Sequence, residues 1–357
     1  MKWLNIFIES LVIFLILFSP LVYAGNRPIP ITIIESLSFL LLFVFLLRES
    51  LQGRLVLVKA PVLALIAFIG LIIFQLIPLP AAVLSAISPN TFTLYKDFFL
   101  GPLQNLTLSI YPEATTSLLL QLLSYLAAFF VILNYVDNEE KGRRIIFTII
   151  ISGSLYALYG LLRKLVTPIG LFSTFGNRDH FAAYMEMIIP LCISYVFIES
   201  SRTKKAVIVF LASIMSLALV LSLCRAGIIC FSLSLLLFIF LFRLKRPLKK
   251  GLIVGLAFIL VLGLFLAAIG TETVTKRLDT LRNPLKAMTG RAEVLQNSPP
   301  IIADFPVFGT GFNTFGDIFR KYEVVKANVL RFAHNEPLQL IIETGFIGFL
   351  LVFCFLL

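Results

Sequence analysis

The chain has 357 residues, 59% hydrophobic and 14% charged, with a formal net charge of +11. A soluble domain is nearer 45–50% apolar and about 25% charged, so one aqueous core cannot hide this much apolar surface and lipid is the expected solvent. The positive balance fits anchoring of cytoplasmic loops, and no basic-aromatic module for nucleic acid appears.

Apolar runs long enough to span a bilayer, at about 20 residues each, lie near 4–24, 31–47, 61–77, 115–136, 145–162, 181–198, 206–223, 226–242, 252–270 and 338–357. Ten runs predict an all-α, polytopic transmembrane bundle. The first run ends in Val22-Tyr23-Ala24 before Gly25, a sequence resembling a signal-peptidase site after Lys2. Glu9 and the length of the run favour a retained helix. Between the third and fourth runs, 78–114 is rich in Pro, Ser and aromatics. Short interfacial helices are expected over Leu84–Ile87 and Phe92–Leu100. Pro112-Glu113 should open the fourth span, because proline suits the first helical turn and an acid the positive helix end. The chain stops inside its last apolar run, so either it ends at the inner face or spans are missing beyond Leu357.

Basic residues set the expected orientation. Lys2 and four alternate loops hold fifteen of the thirty: Arg48, Arg54 and Lys59; Lys141, Arg143 and Arg144; Arg202, Lys204 and Lys205; Arg243, Lys245, Arg246, Lys249 and Lys250. The short loops opposite hold six, and nine lie in 271–337, too long to follow the rule strictly. The basic loops are therefore expected inside, with 78–114, 163–180 and 271–337 facing out.

The long polar excursion 271–337 is the expected reaction site. It ends in Ala333-His334-Asn335-Glu336 at the mouth of the last run. His334 is one of two histidines, and an imidazole can take a proton from a hydroxyl at neutral pH. Asn335 and Glu336 could orient it or the substrate. Alternatively, His334 is an interfacial residue solvated by headgroups. Arg225 lies in a tight turn between the seventh and eighth runs, where a charge usually has a partner or an anionic ligand. Guanidinium pairs bidentately with phosphate; a snorkelling arginine is the plainer alternative. Arg291 precedes a stretch reading as a short helix to Asn297, which Pro299-Pro300 should stop. Gly309-Thr310-Gly311-Phe312-Asn313 could then turn backbone N–H groups toward an anion, although an ordinary surface turn has the same sequence. Before the sixth run, Asn177, Arg178 and His180 gather on the same expected rim, with Asp179 as the expected helix cap.

No Asp-x-Asp pair, Walker loop, Gly-x-Gly-x-x-Gly or His-Glu-x-x-His occurs. Cys192, Cys224, Cys230 and Cys354 lie in or beside apolar runs without zinc spacing. No metal or cofactor is therefore expected, and arginine is the expected counter-charge for any bound phosphate.

In combination, Phe175-Gly176-Asn177-Arg178-Asp179-His180-Phe181-Ala182-Ala183-Tyr184, Pro112-Glu113-Ala114-Thr115, Arg225-Ala226-Gly227, the stretch from Arg291 through Gly309-Thr310-Gly311, and Ala333-His334-Asn335-Glu336-Pro337-Leu338-Gln339 followed by Glu343-Thr344-Gly345-Phe346-Ile347-Gly348 resemble the O-antigen ligase and polymerase family. The likeness covers roughly residues 60–357. It implies a single integral-membrane domain over 1–357 whose extracytoplasmic loop 271–337, containing short helices, is catalytic. It further implies a multi-pass protein of the bacterial cytoplasmic membrane, working on the periplasmic side in surface-polysaccharide synthesis. The donor would be an undecaprenyl-diphosphate-linked glycan, and the acceptor a hydroxyl of a lipid, glycan or protein. The resemblance implies metal-independent, inverting transfer, with Arg225 and Arg291 on the diphosphate and His334 activating the acceptor. Family members usually have more spans than ten, which implies missing C-terminal spans. The competing class is a transporter or flippase for lipid-linked saccharides, which would place ionisable groups at mid-membrane and repeat its halves.

Overall fold

The computed structural model describes residues 2–21, 27–54, 60–98, 105–166, 173–245, 289–323 and 330–356. Thirteen helices run through these residues: α1 Lys2–Phe18, α2 Pro28–Leu51, α3 Ala60–Leu76, α4 Ala81–Ile87, α5 Pro89–Phe98, α6 Pro112–Tyr135, α7 Glu139–Val166, α8 Arg178–Ile198, α9 Arg202–Leu221, α10 Arg225–Lys245, α11 Thr289–Asp304, α12 Phe315–Tyr322 and α13 Glu336–Leu356. Among the described residues there is no strand; Leu79 and Leu106 form one isolated antiparallel bridge.

Among the described residues, six helices are long and apolar enough to cross a membrane: α2, α6, α7, α8, α9 and α13. Three more expected runs coincide with α1, α3 and α10, of which α1 and α3 have 17 residues each. The run at 252–270 lies outside the described residues, as do the Val22-Tyr23-Ala24-Gly25 site and residues 271–288. Large apolar side chains such as Phe43, Leu63, Leu120, Leu236 and Leu350 stand exposed along these helices. That is the surface a lipid-solvated helix presents, with its backbone satisfied internally. The two short helices expected in 78–114 form as α4 and α5, and Pro112-Glu113 opens α6.

The chain divides into two compact units. The first comprises 1–37 and 135–283, the second 38–134 and 284–357.

In the first unit, α7, α8, α9 and α10 enclose a core including Ile150, Ala157, Phe181, Met185, Ile189, Met215 and Leu219. Serine hydroxyls inside these helices donate to carbonyls one turn back, Ser154 to Ile150, Ser213 to Val209 and Ser216 to Ala212. Each is thereby satisfied without water. Helix α1 packs on α7. The Arg144 Nε lies 2.6 Å from the Glu9 carboxylate, and the Tyr156 hydroxyl donates to the Leu17 carbonyl at 2.5 Å.

In the second unit, α3 packs along α13, and α11 and α12 form a small core with the segment before α13: Val294, Ile301, Phe305, Phe315, Ile318, Phe319, Ala333 and Ile342. The expected stop at Pro299-Pro300 does not occur, for α11 runs through both prolines to Asp304. The missing N–H groups free only the Leu295 and Gln296 carbonyls, on residues that are exposed. Meanwhile Val294, Ser298, Ile301 and Phe305 keep helical spacing and are buried. Packing of that stripe outweighs the local penalty, so tertiary contacts override propensity here.

Candidate functional site

Helix α13 begins as an unbroken apolar pattern but is broken at Gly345, where φ is 64° and ψ is −171°. That backbone conformation is open essentially to glycine alone. The break releases two carbonyls and two N–H groups, and the loop after α11 takes up all four. Thr310 and Gly311 N–H donate to the Ile342 and Glu343 carbonyls at 2.9 and 3.0 Å. In return, Phe346 and Ile347 N–H donate to the Pro306 and Val307 carbonyls at 2.8 and 3.4 Å. The fit is close enough that a Cβ on Gly309 would lie 2.4 Å from the Glu343 carbonyl carbon, and one on Gly345 2.2 Å from the Val307 oxygen.

Polar side chains complete the joint. Buried Gln75 of α3 donates its Nε2 to the Phe308 and Glu343 carbonyls at 2.7 and 2.9 Å, and its Oε1 accepts from Phe312 N–H at 3.1 Å. The Thr115 hydroxyl donates to the Phe312 carbonyl at 2.7 Å. The Glu343 side chain, 2% exposed, accepts from Asn313 N–H at 2.9 Å, Phe315 N–H at 3.2 Å and Gln339 Nε2 at 2.9 Å. Thr314, the N-cap residue of α12, makes no side-chain cap. Glu343 supplies one from another helix, placing a carboxylate at the positive end of α12.

This geometry corrects the expected anion-binding turn. The N–H groups of Thr310, Gly311, Phe312, Asn313 and Phe315 are all engaged by the protein itself. Gly309-Thr310-Gly311 is a joint that repairs a broken helix.

His334 lies just before α13, in the left-handed region with φ of 51°, and is exposed. Histidine visits that region more readily than most residues. Its neighbours are fixed. Ala333 is 2% exposed, and its N–H donates to Gln339 Oε1 at 3.1 Å. Asn335 Oδ1 accepts from Leu338 N–H at 3.3 Å, which makes Asn335 a cap of α13, and Glu336 is an exposed residue of its first turn. No hydrogen bond ties the His334 imidazole to a described residue. Arg291 sits in the first turn of α11, three residues before Val294. Val294 and Ala333 share one core, so the Arg291 helix and the His334 segment are brought together in the second unit.

Arg225, Asn177, Arg178 and His180 belong to the first unit. Arg225 is the first residue of α10, after a turn in which Leu223 has φ of 57°. Cys224 before it is buried, and a Cβ on Gly227 would meet the Ala182 Cβ at 2.7 Å and the Glu186 carboxylate at 2.9 Å. The turn therefore lies against α8. Burial pushes the Cys224 thiol up to about 11, and the facing Asp179 carboxylate adds to the shift. The cap of α8 is Asn177, whose Oδ1 accepts from Asp179 N–H at 2.9 Å; the expected cap, Asp179, instead occupies the first turn. Arg178 Nε stands 3.8 Å from the Asp179 carboxylate, and His180 is exposed.

Sequence reasoning did not single out Gln75, and it quoted Gln339 and Glu343 only for the resemblance, with no role given to either. A glutamine or glutamate inside an apolar run is costly and normally partnered. The four-residue spacing of Gln339 and Glu343 put both on one helical face, and that signal was available.

No curated protein and no solved structure matches the chain. Residues 210–353 match the family model described as O-antigen ligase. Over that span, which carries Arg225, Arg291 and His334, the chain is similar to O-antigen ligases.

Proposed function

We propose that the chain transfers a glycan from an undecaprenyl-diphosphate carrier to an acceptor hydroxyl on the periplasmic face of the bacterial cytoplasmic membrane, without a metal and with inversion. Arg225 and Arg291 neutralise the diphosphate, and His334 is the general base. The acceptor O–H gives its proton to the imidazole while its oxygen attacks the anomeric carbon opposite the diphosphate. The bond from that carbon to the phosphate oxygen breaks, and undecaprenyl diphosphate leaves with its charge held by guanidinium groups. The acceptor belongs to a lipid, a glycan or a protein. Asn177, Arg178, His180, Asn335 and Glu336 are the candidate rim, with Asn177 and Asn335 serving first as helix caps.

The observation that carries this reading is the placement of His334. It is an exposed imidazole on a constrained turn at the mouth of α13, next to Ala333, which shares a core with the Arg291 helix inside the family-matched span. The test is His334→Gly, because glycine accepts φ of 51° whereas alanine would add about 1–2 kcal/mol of left-handed strain. Transfer from lipid-linked glycan in membranes should fall about 10²–10⁴-fold, the usual range for a lost general base, with normal insertion. Normal glycan product from this variant rejects the role. Movement of the lipid-linked glycan across liposomes without any product supports transport instead.

A further inference from the structure

We propose that Gln339 is a positioning residue for His334, holding it through a hydrogen-bonded relay anchored on the buried Glu343 carboxylate. The inference rests on His334 as the base. The relay is short. Glu343 is fixed by two backbone N–H donors, from Asn313 and Phe315, and its Oε1 accepts from Gln339 Nε2 at 2.9 Å. That bond orients the Gln339 amide, so that its Oε1 faces the Ala333 N–H, 3.1 Å away. Ala333 is the residue immediately before His334, so a bond to its N–H fixes the main chain as it enters the left-handed turn.

The opposite side of His334 is tied through the backbone. Asn335 caps α13 through Leu338 N–H, and the Asn335 carbonyl accepts from Gln339 N–H at 2.9 Å. His334 therefore hangs between two anchors that both lead to Gln339, one through its side chain and one through its backbone. The side-chain anchor is specific to an amide. Gln339 must accept from Ala333 and donate to a carboxylate at once, and an amide of that length does both without depending on its protonation state. Leucine or methionine fills the space but does neither.

The measurement is kcat and donor KM for Gln339→Met in the full-length chain in membranes, using lipid-linked glycan extracted from a strain lacking the transferase. A misoriented base should lower kcat about tenfold or more and leave donor KM unchanged, because the diphosphate contacts are intact. Unchanged kcat, or a fall in kcat matched by a rise in KM, overturns the proposal. The second arm uses His334→Gly with added imidazole, which enters as a free base and needs no positioning. Gln339→Met should cost nothing in that rescued background. An equal loss there assigns Gln339 to general stability and overturns the proposal; if imidazole does not enter, the kcat and KM split alone decides. Full transfer by His334→Gly without imidazole refutes the base itself. Loss in His334→Gly beside normal turnover in Gln339→Met refutes only the relay.

Discussion

Gly345→Ala is the most informative single change in the second unit. A Cβ at this position would lie 2.2 Å from the Val307 oxygen and 2.7 Å from the Phe308 nitrogen, against an ordinary contact of 3.4 Å or more. Both neighbours are backbone, so no side chain can swing away. The backbone conformation itself, φ 64° and ψ −171°, adds about 1–3 kcal/mol for a non-glycine residue. The alanine variant has two responses. It can keep the break and push the loop away, losing hydrogen bonds from Phe346 and Ile347 at about 1 kcal/mol each, or more where a group stays dry. Alternatively, it can close α13 into a continuous helix, rebonding Ile342 and Glu343 to Phe346 and Ile347 and expelling Thr310 and Gly311. The second response costs less locally and unseats the whole 306–315 joint. Either response loses roughly 3–5 kcal/mol, a large share of the 5–15 kcal/mol that holds a typical domain. The assay is thermal denaturation in detergent with limited proteolysis by an aromatic-specific protease. The variant should melt lower and become cleavable at Phe308 and Phe312. An unchanged midpoint with an uncut loop would refute the claim that the glycine is required.

Two further outcomes follow from groups in the first unit. Asn177→Ala should destabilise that unit by about 1 kcal/mol, the usual value of a lost N-cap, while Asn177→Asp keeps the cap and stays near wild type; loss of transfer in the aspartate variant with stability intact would give Asn177 a direct role at substrate instead. The Cys224 thiol, raised to about 11 by burial and by Asp179, should resist water-soluble maleimide at pH 8, because the thiolate is the reactive form. Since the folded value lies above the ordinary 9.0, the associated stability is present below pH 9 and is lost as pH rises toward 11. Rapid labelling at pH 8 in folded protein would contradict the burial of that turn.

The hydropathy pattern carried the helices well, because a lipid-facing helix writes its length directly into the chain. Among the described residues, six of the expected runs are helices of spanning length, and α4, α5 and the Pro112 start of α6 fall where expected. Failures occur where long-range contacts decide. Pro299-Pro300 reads locally as a stop, but Val294, Ile301 and Phe305 find a core that only the fold supplies. Asp179 and Asn177 both suit a cap, and a two-residue difference in where α8 begins selects Asn177. Gly309-Thr310-Gly311 has the residues of an anion nest, yet its donors are claimed by carbonyls more than thirty positions away. Nothing local announces that α13 will break, because Gly345 and Gly348 look alike in sequence and only Gly345 takes a positive φ.

The break in α13 also explains why the His334 segment sits where it does. A helix end or break inside apolar surroundings must have its free backbone groups met by protein, since lipid offers no partner. Here the repair needs the 306–315 loop, and that loop needs a carboxylate to hold Asn313 and Phe315. Glu343 is that carboxylate, and its remaining donor is Gln339. A group fixed by three donors has almost no freedom, which makes it a suitable reference point for anything built outward from it. Ala333 and His334 are built outward from it, two hydrogen bonds away. The polar joint and the candidate base are therefore one construction: the interactions that mend the helix fix the backbone that presents the imidazole.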